Sequence, residues 1–383
     1  MDEQERVGLL VRQAESLVRD RWGRKIGLHA PRVVAARGRS LVVRCAVTGW
    51  DDVASLVLKR NEGDDARGFT DWASLAFLSA LEEATDVAPR FYGGDARERF
   101  VVMEDLGGSR SLADLLEQAD ATAAVEALAA LATSMARLVA ATAGREETFV
   151  RLRATLPGGA GLGRQQEAAR WLEARERVAR WADLLAIPLP RGFDAAYAHV
   201  AAVYADPGPS LAFSHGDPAP SNNHLSPGRV RLIDFEYAGY RHALYDLTGW
   251  AILCPLPWAW VAGMECVFRR GLGADARGGP FADDGQYREA WATLCAYRAL
   301  AMLTWFPPDL LAEDRAWAPG WTGRAALLST TLRLHQTSAA AAALTPLADL
   351  GGRLSEALRA RWPTLGEGAP NWPAAAPASG DVR

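Results

Sequence analysis

Apolar residues in the first hundred positions follow two different spacings. Over residues 2–21 they recur every three or four positions. Val7, Leu10, Ala14, Leu17 and Val18 share one face, which predicts an amphipathic helix. From Arg32 the spacing is that of strands. Arg32 to Ala36 and Leu41 to Val47 flank Arg37-Gly38-Arg39-Ser40. After the turn Thr48-Gly49-Trp50-Asp51-Asp52, a third run from Ala54 to Leu58 ends at Lys59. Leu75, Leu78 and Leu81 predict a helix over 70–83, and Phe100 to Met103 a strand leading into Glu104-Asp105-Leu106-Gly107-Gly108.

Beyond Gly108 the helical spacing dominates. Two alanine- and leucine-rich helices are expected over 111–143, divided near Asp120, and another over 164–184 with a solvated face of arginines and glutamates. Short β-runs surround Leu211 to Ser214, Asn223 to Leu225 and Val230 to Ile233. Further helices are predicted over 286–305, 324–339 and 347–361. The expectation is an α+β chain: a small, mainly antiparallel sheet lobe over 1–107 and a larger helical lobe over 108–362. A Pro/Ala/Gly-rich tail over 363–383 is expected to be disordered.

The chemistry is concentrated in one stretch. A β-run delivers His215-Gly216-Asp217, a proline-bearing loop follows, and Asn222 stands five residues after the aspartate. A second pair of strands then delivers Asp234, twelve residues after Asn222, in Ile233-Asp234-Phe235-Glu236. Phosphoryl transfer needs such parts: one carboxylate to take a hydroxyl proton, and an amide oxygen and second carboxylate to hold Mg²⁺ against phosphates. Lys59, at the end of the third strand, is placed to contact nucleotide phosphates, with Asp71 on the following helix to orient it. Met103, Glu104 and Leu106 could pass the adenine edge, and Gly38 and Ser40 are the plausible phosphate-covering residues.

These landmarks resemble the aminoglycoside phosphotransferase/choline kinase family, a branch of the protein-kinase-like fold. The family's HGDxxxxN motif and hydrophobic-Asp-Phe/Trp-Glu run both stand here, at His215 to Asn222 and Ile233 to Glu236. The resemblance implies a two-lobed kinase-like fold, ATP and Mg²⁺ as cofactors, Asp217 as catalytic base, and Asn222 and Asp234 as metal ligands. It also implies that Asp246, in Tyr245-Asp246-Leu247, supports the catalytic loop. Where the family normally has a helix glutamate, this chain has the shorter Asp71. His215 is expected to be structural. Glu236 is expected to approach the metal or ribose, or to form a salt bridge.

Composition narrows the partners. A net charge of -4 gives no support to nucleic-acid binding. Four scattered cysteines imply neither a zinc knuckle nor a disulfide scaffold. No signal peptide and no uninterrupted membrane-spanning stretch is evident, so a cytoplasmic protein without membrane partners is expected. Of 42 basic residues only Lys25 and Lys59 are lysines, which makes Lys59 more informative. Half of the 14 tryptophans fall between Trp250 and Trp321, the expected acceptor side, where they could stack on sugar rings or pack a core. The expected acceptor is a hydroxyl of a small molecule: a sugar, amino-sugar or aminoglycoside-like compound, with choline or another amino alcohol as the alternative. A non-catalytic nucleotide-binding pseudokinase is a further one. Oligomeric state and the choice between ATP and GTP are not encoded in any motif.

Overall fold

The computed structural model describes residues 2–22, 25–37, 39–63, 66–108, 110–118, 120–159, 163–254, 256–272, 281, 283–318 and 321–365. Helix α1 (Glu3–Trp22) precedes strands β1 (Gly27–Arg37), β2 (Ser40–Thr48) and β3 (Ser55–Asn61), then helix α2 (Arg67–Ser79) and strands β4 (Phe91–Asp95) and β5 (Phe100–Glu104). The strands form one antiparallel sheet in the order β1-β2-β3-β5-β4. Alternation sorts its two faces. Leu41, Val43, Cys45, Leu56, Leu58 and Val102 pack with Val7, Leu10, Val11, Ala14 and Val18 of α1. Val42, Val57, Lys59 and Met103, one step out of phase, line the opposite face. Full burial of a side chain such as Leu10 contributes about 1.5–3 kcal/mol.

The larger lobe begins with α3 (Leu112–Leu116), α4 (Ala121–Thr142), α5 (Glu146–Ala154), α6 (Arg164–Glu173), α7 (Arg175–Leu184) and α8 (Phe193–Ala205). Asp120 caps α4, accepting from the Ala123 N–H, which explains the division expected there. The helix expected over 164–184 is two, α6 and α7, divided at Ala174. Four short strands follow: β6 (Leu211–Ser214), β7 (Asn223–Ser226), β8 (Arg229–Leu232) and β9 (Gly239–His242). β6 pairs with β9, and β7 with β8. Helices α9 (Tyr245–Leu253), α10 (Trp258–Gly271) and α11 (Asp284–Leu303), the strand pair β10 (Ala316–Ala318) and β11 (Trp321–Thr322), and helices α12 (Gly323–Ser338) and α13 (Thr345–Arg361) complete the lobe. The architecture is the two-lobed protein-kinase-like fold.

Helix α4 is, by length and composition alone, long and apolar enough to cross a membrane, although Glu126 and Arg137 interrupt it. Here it packs against β6, β8 and α10. Residues 366–383 of the expected tail, and Gly38 of the expected phosphate loop, lie outside the described residues.

Candidate active site

The two loops that carry the motif leave strands of different two-stranded sheets. Residues 215–222 connect β6 to β7, and 233–238 connect β8 to β9. The Ile233 N–H donates to the Asn222 carbonyl at 3.1 Å, which ties the loops together. The turn at Gly216 has φ +86°, and a Cβ there would stand 2.1 Å from the Tyr237 carbonyl oxygen. Only glycine fits. Asp246, buried at the start of α9, accepts from Ser214 Oγ at 3.0 Å and from the N–H groups of His215 and Gly216 at 2.7 and 3.0 Å. It supports the loop, as the resemblance implied. His215 is fully buried with its ring 4.4 Å from that of Phe235. Its Nδ1 accepts from the Asp217 N–H at 3.3 Å, so Nε2 carries the proton and donates to the Ile233 carbonyl at 2.9 Å. Both ring nitrogens are engaged in holding the backbone.

Asp217 therefore stands on a braced loop. Burial pushes its carboxyl above the usual range, with Asp234 and Asp246 adding to the push and His215 and Arg298 opposing it. Asn222 Nδ2 donates to the Asp217 carbonyl at 2.9 Å, and its Oδ1 accepts from Ser221 Oγ at 3.4 Å. Asp234 is a non-glycine residue at φ +68°. Left-handed backbone costs an aspartate on the order of 1 kcal/mol, and Lys59 holds it there.

Lys59 is the junction of the site. Its ammonium lies 2.7 Å from Asp71 Oδ2 and 2.7 Å from Asp234 Oδ1. Burial works against its charge, but the two carboxylates more than offset it and raise its pKa. Lys59 sits inside β3 rather than at its end, and α2 begins at Arg67, which sets Asp71 one turn into the helix. The other Asp71 oxygen accepts from the Phe235 N–H at 2.9 Å. One buried carboxylate thus fixes both the lysine and the Asp234 loop.

These groups line a cleft of about 460 Å³ between the lobes. Lys59, Asp71, Ser40, Met103, Glu104, Leu106 and Asp234 all border it, while Asp217 and Asn222 stand outside its lining. The Glu104 carboxylate is committed elsewhere: it accepts from Arg231 at 2.7 and 2.6 Å and from the Arg90 N–H at 2.9 Å. Burial pushes that carboxyl up, and these bonds bring it below its usual value. Asp105 braces the segment between the lobes through Ser55, Arg44 and the Gly107 N–H, at 2.7, 2.8 and 2.9 Å. His224 and Arg39 also line the cleft, and neither stands in a motif. Glu236 lies 3.7 Å from Arg39, and burial and the neighbouring Asp234 push its carboxyl up.

The donor set suits a hard divalent cation. One amide oxygen and one aspartate oxygen, on loops bonded to each other, leave room for phosphate and water ligands. Among the described residues no group of three or more His, Cys, Asp or Glu forms a ready-made metal cage, which is unlike a structural transition-metal site.

Residues 37–289 match the phosphotransferase enzyme family. The chain belongs to this family. It is a nucleotide-dependent phosphotransferase, an enzyme that acts on small molecules. No curated protein sequence matches it. Among solved structures, a choline/ethanolamine kinase family protein from Mesorhizobium loti is 15% identical, with 84% of this chain and 93% of that one covered at a TM-score of 0.46. A macrolide 2′-phosphotransferase from Brachybacterium faecium is 16% identical, with 84% and 97% covered and a TM-score of 0.46. An aminoglycoside phosphotransferase solved with streptomycin and ATP is 12% identical, with 79% and 90% covered and a TM-score of 0.48.

In this phosphotransferase half of the 14 tryptophans lie between Trp250 and Trp321. Trp250 and Trp321 are core residues. Trp291 stacks on Tyr287, and Trp317 packs on Phe306. Trp258 and Trp305 are exposed. The carboxylates of the region are largely spent. Asp283 caps α11, Asp284 and Asp309 pair with Arg269 and Arg315, and Asp314 accepts from the N–H groups of Arg315 and Arg324. Glu289 and Glu313 are exposed. Glu265 bonds with Tyr287 and feels Arg269 and Arg288.

Proposed function

We propose that the enzyme transfers the γ-phosphoryl group of ATP to a hydroxyl of a small molecule of the sugar or amino-sugar class. With the lobes divided at Gly107/Gly108, the nucleotide occupies the cleft between them. The observation that carries the reading is Lys59, fixed between Asp71 and Asp234 at 2.7 Å from each, in a chain whose other lysine is Lys25 and whose remaining basic residues are arginines.

Lys59 faces the α- and β-phosphates. Ser40 borders their approach, and Met103, Glu104 and Leu106 bound the adenine. The Asn222 oxygen and Asp234 would hold magnesium, which supplies neutralisation of phosphate charge. Asp217 accepts the proton of the acceptor hydroxyl as its oxygen bonds to the γ-phosphorus, and the bond from that phosphorus to the β-phosphate oxygen breaks to release ADP. Its raised pKa makes it a stronger base than an ordinary aspartate.

The test is a panel of sugars, amino sugars, aminoglycosides and amino alcohols incubated with ATP and Mg²⁺, with products read by mass and ³¹P NMR. At least one sugar-class compound is expected to gain a phosphoryl group. Nucleotide binding without transfer to any compound would sink the reading.

A further inference from the structure

The small-lobe sheet orders the cleft along β3. Val57 pairs with Met103 beside the segment between the lobes, Lys59 stands two residues on, and Asn61 pairs with Ser40 next to the β1–β2 turn. All three line the cleft, and two residues of strand span about 6.5 Å. A nucleotide with its base at Met103 and its α- and β-phosphates at Lys59 therefore directs its terminal phosphate toward the turn that carries Arg39. A glycine-rich loop would cover phosphates there with backbone N–H groups. This turn is built otherwise. β1 and β2 stay paired up to Arg37 and Ser40, and the Arg39 carbonyl accepts from the N–H groups of Glu62 and Gly63 at 2.9 and 3.4 Å. The Arg39 backbone is tied to the chain just past β3, and Arg39 lines the cleft.

Charge at that end of the cleft is one-sided. Among the described residues that line it, the cations are Arg39, Arg44 and Lys59. Arg44 is committed at the other end, 2.8 Å from Asp105 and donating to the Gly107 carbonyl at 2.7 Å. Lys59 is already balanced by Asp71 and Asp234, and Glu236 adds a further carboxylate to the lining. Magnesium offsets part of the repulsion that a polyanion would meet there. Arg39 is the protein cation positioned to offset more. Its side chain is 61% exposed and faces Glu236 across the lobes at 3.7 Å, longer than a hydrogen bond. An exposed ion pair of this kind is weakly held and readily exchanged.

We propose that Arg39 grips the terminal phosphate of the nucleotide, exchanging Glu236 for it. This rests on the reading of the cleft as the nucleotide site. The guanidinium fork fits two phosphate oxygens at once, and its charge-assisted bonds to them are stronger than a loose contact with a carboxylate. A triphosphate reaches the turn and ties Arg39 of the small lobe to the phosphate facing the Asp234 loop of the large one. A diphosphate ends short of the turn and leaves Arg39 with Glu236. Arg39 thereby selects the triphosphate over the diphosphate, and loses its hold on the nucleotide once the phosphoryl group has moved.

Nucleotide binding tests this with no acceptor present. Calorimetric titrations with Mg²⁺ and either ADP or β,γ-imido-ATP would be run on wild type, Arg39→Gln, Arg39→Lys, Glu236→Gln and the Arg39→Gln/Glu236→Gln double variant. Arg39→Gln should weaken the triphosphate by about tenfold or more, the value of a charged hydrogen bond, and ADP by less than about threefold. Retained ADP binding shows that the cleft is folded. Arg39→Lys should recover part of the loss, since it keeps the charge and lacks the fork. Glu236→Gln removes the competing carboxylate and should tighten the triphosphate by about two- to fivefold, an effect that vanishes when Arg39 is also replaced. Equal effects of Arg39→Gln on both nucleotides, or none on either, would overturn the assignment and leave the cleft as the nucleotide site. Weaker triphosphate binding in Glu236→Gln would overturn the exchange. A wild-type enzyme that binds neither nucleotide would remove the reading of the cleft as well.

Discussion

Lys59 and Asp71 meet at 2.7 Å although the helix residue is an aspartate rather than a glutamate. The shorter side chain reaches because Asp71 is drawn inward, 2% exposed, with its second oxygen on the Phe235 N–H. Asp71→Asn removes the counter-charge and keeps the shape. A loss of about 3–5 kcal/mol of stability is expected, the usual result of breaking a buried pair, softened to the extent that Asp234 still pairs with the lysine. The KM for ATP should rise as Lys59 swings toward Asp234. Asp71→Glu is not a safe repair, since an added methylene at a packed position costs about 1–3 kcal/mol. Urea melts and ATP kinetics check both, and an Asp71→Asn enzyme with unchanged stability and KM would contradict the pairing.

Asp217→Asn should separate binding from chemistry. Asp217 does not line the cleft proposed for the nucleotide, so ADP and ATP should bind with near wild-type affinity. Transfer should fall by about 10²–10⁴, the contribution of a positioned base. Stability should hold or rise wherever the carboxylate is ionised, because burial disfavours its charged form. Calorimetric nucleotide titration beside single-turnover transfer reads the two effects apart. Retained transfer would remove Asp217 from the role of base.

The donor half of this site was legible because its chemistry lies in contiguous loops. His215 to Asn222 and Ile233 to Glu236 are local patterns, and Lys59 stands out in an arginine-using chain. What escaped was non-local or locally disguised. β4 reads Phe-Tyr-Gly-Gly-Asp, whose glycines suggest a turn, yet pairing with β5 makes it the edge of the sheet. Asp105 braces the lobe connection only because Arg44 and Ser55 arrive from other strands. His224 lines the cleft through its place on a hairpin, not through any spacing. Arg39 is one among many arginines, and it faces Glu236 from the other lobe, which no local pattern announces. The tryptophans between Trp250 and Trp321 offered no pattern that separates a binding surface from packing, and Trp250 and Trp321 lie in the core.

Asp234→Asn should act on metal dependence rather than on the proton. The substitution removes one charged oxygen proposed for magnesium and one of the two partners of Lys59. The magnesium concentration for half-maximal nucleotide binding should rise by at least about tenfold, the scale on which perturbing even outer contacts of a metal site is felt. Lys59 keeps Asp71, so the fold of the small lobe should survive. Titrating magnesium at fixed ATP measures the shift, and an unmoved midpoint would refute Asp234 as a ligand.

The pH dependence of transfer follows from the surroundings of Asp217. Burial raises its pKa, His215 and Arg298 pull it down, and Asp234 and Asp246 push it up again, with the balance above the ordinary aspartate value. The base works ionised, so activity is present above the folded pKa and lost as pH falls through it. The acid limb of kcat/KM should therefore lie above the range of a solvent-exposed aspartate. Arg298→Gln removes a group that favours the carboxylate and should move that limb further up. The stability effect has the opposite sign to that of a salt-bridged aspartate. A raised folded pKa means the native state binds the proton more tightly than the unfolded chain, so ionisation between the two values costs stability as pH rises. Wild type and Asp217→Asn should thus converge in stability at acid pH and diverge toward neutrality, with the asparagine variant the more stable. Profiles of kcat/KM at saturating ATP and Mg²⁺, with urea melts at both ends of the range, measure the two slopes. An acid limb at or below the ordinary aspartate value would mean that the group taking the proton is not this buried carboxylate.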